Sequence, residues 1–518
     1  MKNYKFTSLI AIMMTLVMFL SACGSGNGPQ NADPVSSDGG NSVIKDTLVV
    51  QYGPEPDTLD MHQTALMTTA LIVPSIHNQL VCLENGEIVG ALAKSWAWND
   101  DYTELIFQMR DDIYFSDGSP ITANDVAYTF NLNMEEGYGY SFLKFIDSVT
   151  ATDETEVIIR LTQPYFVFLS ALTTGNFAVY SQAAMEAGMD IAKLPNVTSG
   201  PYYVDRWTIG EKITLKANEY YYGGIPEIKT IDLLFMTDEN TALIAFESGD
   251  IDVMCGSGTS INASSIQRIQ SINKGSLIEY TTTGYYFMVL NQSVKYFADK
   301  NVRQAIDLAI NRDDIVAVAV DGNGAPAGIP IRNGISGYVD GVEPTKHDLE
   351  AAKKLMAAST YPDGFSFTAI VPSAAAYKKA AQVVQSQLVE IGINMQISEA
   401  DTGSISTNMA NNNFEASVWS WTNASGDISN ISDIYITAGP KCYAKFTDTN
   451  IGNLLAKSAT VEGVARTEIL AEMYKFIEEE VPYIGLFWPI GTFALKEGLS
   501  MTGEVGILGS LPFHTMIW

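Results

Sequence analysis

Residues 115–126 read Phe-Ser-Asp-Gly-Ser-Pro-Ile-Thr-Ala-Asn-Asp-Val. Asp117-Gly118 is a turn signal, and Ser116-Asp117-Gly118-Ser119-Pro120 is a turn that feeds the helix after it. Thr122, with Asp125 three positions on, predicts a helix start of the capping-box kind, in which each side chain satisfies an orphan N–H. Just upstream, between residues 104 and 115, Leu105, Phe107 and Met109 alternate, which predicts a strand with one apolar face. Strand, turn and capped helix in succession point to a mixed α/β chain. Working outward, residues 47–52 read as a strand, and Val157/Ile159/Leu161 and Ile231/Leu233/Phe235 alternate as two more. Val302, Ala305, Ile306, Ala309 and Ile310 repeat at helical spacing. So do Tyr377, Ala381, Val384 and Leu388, on a helix expected to stop at Gly392. These stripes are core packing and carry no chemistry.

The chain has 518 residues, 30 Lys+Arg against 59 Asp+Glu, and a net charge of −29. A hydrophobic share of 47% with 17% charged residues excludes a disordered chain. At about 100–200 residues per domain, two to four domains are expected. A surface this anionic repels phosphate backbones, so nucleic acid is not an expected partner.

The chemistry-bearing residues are sparse. His62, His77, His347 and His514 are scattered and form no H-E-x-x-H; no G-x-S-x-G elbow and no Gly-Lys dipeptide occur. No catalytic residue, metal ligand or cofactor motif stands out, and a binding protein is expected in preference to an enzyme. Cys82, Cys255 and Cys442 lack metal-ligand spacing, and their odd number predicts buried thiols or at most one disulfide.

Lys2 and Lys5 precede a 12-residue apolar stretch, Leu9 to Leu20, broken only by Thr15. That is too short for a bilayer span of about 20 residues but suits a signal-peptide core. Leu20-Ser21-Ala22-Cys23 follows and looks like a bacterial lipobox, so Cys23 is expected to carry a lipid anchor after cleavage of residues 1–22. Residues 23–46, rich in Gly, Ser, Asn and Asp, are expected to form a flexible tether.

The opening stretch also takes part in a wider pattern. In order along the chain stand Phe115–Val126, Ser199-Gly200-Pro201-Tyr202, Asn218-Glu219-Tyr220-Tyr221 and Glu247-Ser248-Gly249-Asp250-Ile251-Asp252. Then come Val302-Arg303-Gln304-Ala305, Ala309-Ile310-Asn311-Arg312, Tyr361-Pro362-Asp363-Gly364-Phe365 and Pro482-Tyr483-Ile484. Together they resemble the oligopeptide/dipeptide/nickel family of bacterial extracytoplasmic solute-binding proteins, family 5 of the ABC-importer receptors. The resemblance implies an α/β, two-lobed, hinged periplasmic-binding-protein-like (type II) fold with mixed sheets and an extra peripheral domain. On that pattern lobe I takes residues 47–75, 197–280 and 484–518, the peripheral domain 76–196, and lobe II 281–483. Hinge crossings are then expected near Tyr202, Tyr280 and Pro482. Arg303 and Arg312 are expected to form structural ion pairs.

By the same resemblance the chain would be a monomeric, lipid-anchored receptor, closing on a ligand and passing it to permease subunits served by separate ATPases. Relatives that bind peptides grip the amine with an Asp three positions after a Trp; here Trp421-Thr422-Asn423-Ala424 lacks it, and Asp427 is the nearest substitute. The Arg that grips a dipeptide carboxylate after a Val-Pro pair is also absent from Val371-Pro372-Ser373-Ala374-Ala375-Ala376. A longer peptide is therefore the expected ligand, with an uncharged oligosaccharide as the alternative and nickel or haem disfavoured. Trp419, Trp421, Thr422, Asn423, Asp427, Tyr285, Tyr286 and Tyr52 are the expected ligand contacts, the aromatics offering flat faces. A surface hydrolase or signalling receptor is the reading of a different class.

Overall fold

The computed structural model describes residues 45–64, 66–136, 142–256, 260–435 and 441–518. The signal peptide, Cys23 and nearly all of the expected tether lie outside these residues. The tether's last two residues do not behave as a leash. Lys45 Nζ pairs with buried Asp252 at 2.6 Å, and the Asp46 carbonyl accepts from Lys229 and Thr230 N–H.

A twelve-stranded sheet organises the described chain. Its axis is the long strand Tyr483–Lys496, which joins two halves. The first part of this strand pairs with Gly284–Leu290 and Gly324–Pro326; the second part pairs with Gly275–Thr281 and Val253–Met254. Beyond Gly284–Leu290 follow Ala416–Thr422, Phe365–Pro372 and Ile393–Ala400. On the other side, beyond Val253–Met254, follow Thr47–Gln51, Thr230–Leu234, Lys212–Ala217 and Tyr202–Thr208.

Each half buries its own core. Thr47–Gln51 packs Leu48 and Val50 with Ile213, Ile231 and Phe493, while Val302, Ile306, Ala381, Val384 and Leu388 form a separate cluster with Met288 and Ile484. The second half is lined on its opposite face by Tyr285, Phe287, Tyr435, Tyr474 and Trp488. A further core belongs to an antiparallel four-stranded sheet, Ala93–Trp98, Glu104–Met109, Glu156–Leu161 and Ile146–Ala151, covered by the helix Ala123–Glu136. Burying both faces of a sheet requires such layered helices.

Local expectations meet several refinements. The Thr122 N–H donates to Asp125 Oδ2 at 2.9 Å as a capping box requires, but the Thr122 hydroxyl donates to the same oxygen instead of receiving the Asp125 N–H. Arg303 pairs with Glu480 at 3.4 Å and Arg312 with Asp307. The helix Ala375–Leu388 closes through a short 3-10 turn onto Gly392, whose φ of +79° suits glycine. Cys82, Cys255 and Cys442 are free thiols. Two expected crossings need correction. The long strand stays paired with the second half through Phe487 and changes partner near Pro489, not at Pro482. The strand from Tyr202 pairs only with Lys212–Ala217 and is an outer edge of the sheet. The Gly200 that precedes it lies against the backbone of Ile76 and His77, where a Cβ would come within 2.6 Å of the Ile76 carbonyl carbon. The kink thus serves a backbone crossing within that half.

Candidate functional site

The chain passes between the two halves at Thr281–Gly284 and along the long strand near Trp488–Ile490, and a cleft opens beside this junction. Its cavity of about 350 Å³ is lined from four directions: Met61, Met67 and Gln79; Leu83, Asn85 and Gly86; Thr173 to Asn176; and Thr422 with Ala424. The C-terminal segment Glu504–Leu508 with Ser510 completes the wall. A second cavity, of about 520 Å³, shares Gln79, Cys82, Leu83, Asn85, Glu504 and Ser510 with the first. It runs on to Asn78, Glu84, Tyr221, Tyr222 and His514.

Local chemistry places these walls. Val81–Glu84 and Glu87–Gly90 form a hairpin closed by Asn85-Gly86, both with positive φ (53° and 78°), the turn that a two-residue Asn-Gly loop prefers. The tip is held where it is needed: Asn85 N–H donates to Glu504 Oε2 at 3.0 Å. Opposite, the loop 423–427 is tied by hydrogen bonds among its own polar groups. Asn423 Oδ1 accepts from Gly426 N–H at 3.0 Å and its Nδ2 donates to the Asp427 carbonyl at 2.9 Å. This holds Gly426 against the hairpin, its Cβ position 2.8 Å from Leu83 Cδ1. Thr283 Oγ1 donates to the Ile507 carbonyl at 3.4 Å, tying the junction to the C-terminal segment.

Of the expected ligand contacts, Thr422 lines the cavity. Trp419 and Trp421 do share one face, but that face packs half-buried on the Tyr285/Phe287/Tyr443 core and not on the cavity lining. Tyr286 points to the other face, stacked on Phe487 with ring centroids 4.4 Å apart. Tyr285, Tyr52, Asn423 and Asp427 face the interior, which corrects their assignment as open-cleft residues. Tyr285 donates to the Gly328 carbonyl at 2.7 Å, and Tyr52 to the carbonyl of Thr68. Burial pushes both phenols well above their ordinary range. Asp427 is fully committed: both its oxygens accept from Arg466 Nη2 at 2.8 Å, and Ser336 and Ser429 supply further bonds. It has no valence left for an amine.

Sequence reasoning missed Met61, Thr173–Asn176 and the C-terminal segment. They are remote from the motifs, and only the run Gly503, Gly506, Gly509 hinted at a close backbone approach. Across both cavities Glu84 and Glu504 are the charged lining residues, and no Lys or Arg lines either. His514 is held below its usual pKa by burial and stays neutral at pH 7. Among the described residues no cluster of three His, Cys, Asp or Glu is arranged to hold a metal.

Known proteins share this fold. Residues 87–441 match the family described as bacterial extracellular solute-binding proteins, family 5 Middle. The chain is 25% identical over 537 residues to the oligopeptide-binding protein AppA of Bacillus subtilis, covering 95% of this chain and 94% of that one. It is 23% identical over 465 residues to the probable D,D-dipeptide-binding periplasmic protein DdpA of Escherichia coli, covering 86% and 89%. Among solved structures, HbpA2 from Haemophilus parasuis superposes with a TM-score of 0.80 at 22% identity, covering 91% of this chain and 99% of that one. The two-lobed periplasmic-binding-protein fold is thereby established, and the chain belongs to the family 5 bacterial extracellular solute-binding proteins.

Proposed function

We propose that this protein is a non-catalytic, lipid-anchored extracytoplasmic receptor of an ABC importer that captures an oligopeptide in the cleft between its halves. The observation that carries the reading is the composite cavity, walled by segments from every core and lined by carboxylates without any cation. Such a lining favours a ligand with a free amine and disfavours anions. The connected second cavity supplies room for a chain longer than a dipeptide. Relatives named for peptide binding support the same class. The oligosaccharide alternative loses its main support, because Trp419 and Trp421 are turned onto the core. The Leu-Ser-Ala-Cys sequence ending at Cys23 supports the anchor.

The mechanism is a population shift. Rotation about the crossings at Thr281–Gly284 and Trp488–Ile490 separates or joins the halves, and ligand favours closure by its differential affinity for the closed form. Water leaves the cleft, so each polar contact to the peptide counts for more. The closed face then docks on the permease.

Calorimetry with tetra-alanine and its N-acetyl derivative tests the reading. Wild-type protein binds the free-amine peptide more tightly, and Glu504→Gln narrows the difference by about tenfold, or 1.4 kcal/mol. Equal affinity for both peptides in the wild type, or no binding, refutes it. Fractionation tests the anchor: Cys23→Ala is expected to release the protein from membranes, and retention would refute lipidation there.

A further inference from the structure

Six of the described arginines are at least half-buried: Arg110, Arg160, Arg303, Arg312, Arg332 and Arg466. Five of them pair with a carboxylate. Arg332 does not. Its guanidinium lies over the Trp488 ring, 5.7 Å from the centroid, and its one hydrogen bond is from Nη1 to the Thr282 carbonyl at 3.4 Å. It lines a cavity of about 220 Å³ separate from the cleft, whose walls include Pro326, Ile329, Tyr338, Val342 and Trp488. Glu343 stands at the exposed rim of the same cavity without reaching ion-pair distance.

The guanidinium is half-buried and most of its five donors are unspent, yet none of its nitrogens is both buried and unpartnered, so those donors are open to an acceptor that enters the cavity. Its planar fork matches a carboxylate, and the Trp488 ring flanks it at cation–π distance. The apolar walls suit a small side chain beside the acid group. We propose that Arg332 and this cavity form a subsite for a carboxylate attached to a compact apolar body. The subsite adjoins the junction: Thr282 belongs to the crossing segment, and the Gly334 carbonyl two residues on lies 3.5 Å from the Cβ position of Gly86 in the cleft wall. It stands on its own geometry and does not require that the cleft take peptides. The carboxylate comes either from the end of the cleft ligand or from a separate small acid.

N-acetyl-L-leucine and N-acetyl-L-leucinamide, titrated by calorimetry into the full-length protein, test it. The wild type prefers the acid by about tenfold or more. Arg332→Gln loses that preference, Arg332→Lys keeps part of it, and Glu343→Gln strengthens acid binding by removing a repelling charge. Thermal melts of each variant confirm folding. Equal binding of acid and amide by the wild type, absence of acid binding at millimolar concentration, or an undiminished preference in folded Arg332→Gln overturns the proposal. Displacement of the acid by tetra-alanine assigns the subsite, with the proposal upheld, to the cleft ligand; simultaneous binding upholds it for a separate acid.

Discussion

Asp427 shows how a side chain's role depends on what surrounds it. The sequence marks it as a carboxylate near a tryptophan, and nothing nearby announces a partner. In the fold it is fully buried, and Arg466, thirty-nine positions away, meets both of its oxygens. Two charges withdrawn from water are tolerated only because the geometry and the added Ser336 and Ser429 bonds satisfy them. Removing one charge leaves the other uncompensated. Asp427→Asn is therefore expected to lower the free energy of unfolding by about 3–5 kcal/mol, read from urea titrations. A change below about 1 kcal/mol, the size of a solvent-exposed pair, would contradict the pairing. Thr422, five residues earlier, keeps its place at the cavity because it ends a strand at the junction. Its neighbours on that strand alternate into two cores.

At the scale of elements, the strand Tyr483–Lys496 is the one that makes two halves into one sheet. Its apolar run is interrupted in sequence by Pro489 and Gly491. Both interruptions have physical reasons. Near Pro489 the partner strand changes from Gly284–Leu290 to Gly275–Thr281, so the ladder need not continue unbroken. Gly491 faces Tyr280 in register, and a Cβ there would lie 1.9 Å from the tyrosine ring, which stacks on Phe493 at 5.2 Å. Gly491→Ala is expected to destabilise by about 1–3 kcal/mol through overpacking. The cost should shrink in a Tyr280→Ala background, because the two changes share one contact. Additive costs in that double-mutant cycle would show that the glycine is needed for some other reason.

For the whole molecule, acid sensitivity is built into the junction between the first half and the small four-stranded domain. His62 and His77 are buried with ring centroids 4.5 and 4.8 Å from the Tyr180 ring, and the Tyr180 hydroxyl donates to Asp60 at 3.1 Å. Burial lowers His62 to about 4, and burial with the neighbouring His62 lowers His77 to about 3. Both values lie below the unfolded value near 6.5, so the unfolded chain binds more protons as pH falls through that value. Stability is untouched above about pH 7 and declines below 6.5, by about 2 kcal/mol per histidine at pH 5. Asp60, raised by burial, acts in the opposite direction where it titrates. Urea midpoints measured at pH 7.5 and 5.0 should fall apart in the wild type and converge in a His62→Gln/His77→Gln double variant. An equal gap in both proteins would place the acid sensitivity elsewhere.

The amino-acid order alone determined the α/β class, the helix and strand stripes, and the family resemblance, because these rest on local periodicity and turn chemistry that a short window contains. The resemblance also implied structural ion pairs for Arg303 and Arg312, but no short window could show that Arg303 meets Glu480, 177 positions away. Tertiary structure alone decided which residues face the cleft. Its walls come from segments as distant as Met61, Thr174, Thr422 and Glu504, brought together by a sheet whose central strand is among the last elements of the chain. A strand's alternation says that two faces exist; only the packing of one half against the other says which face meets solvent, which meets core, and which is left open for a ligand.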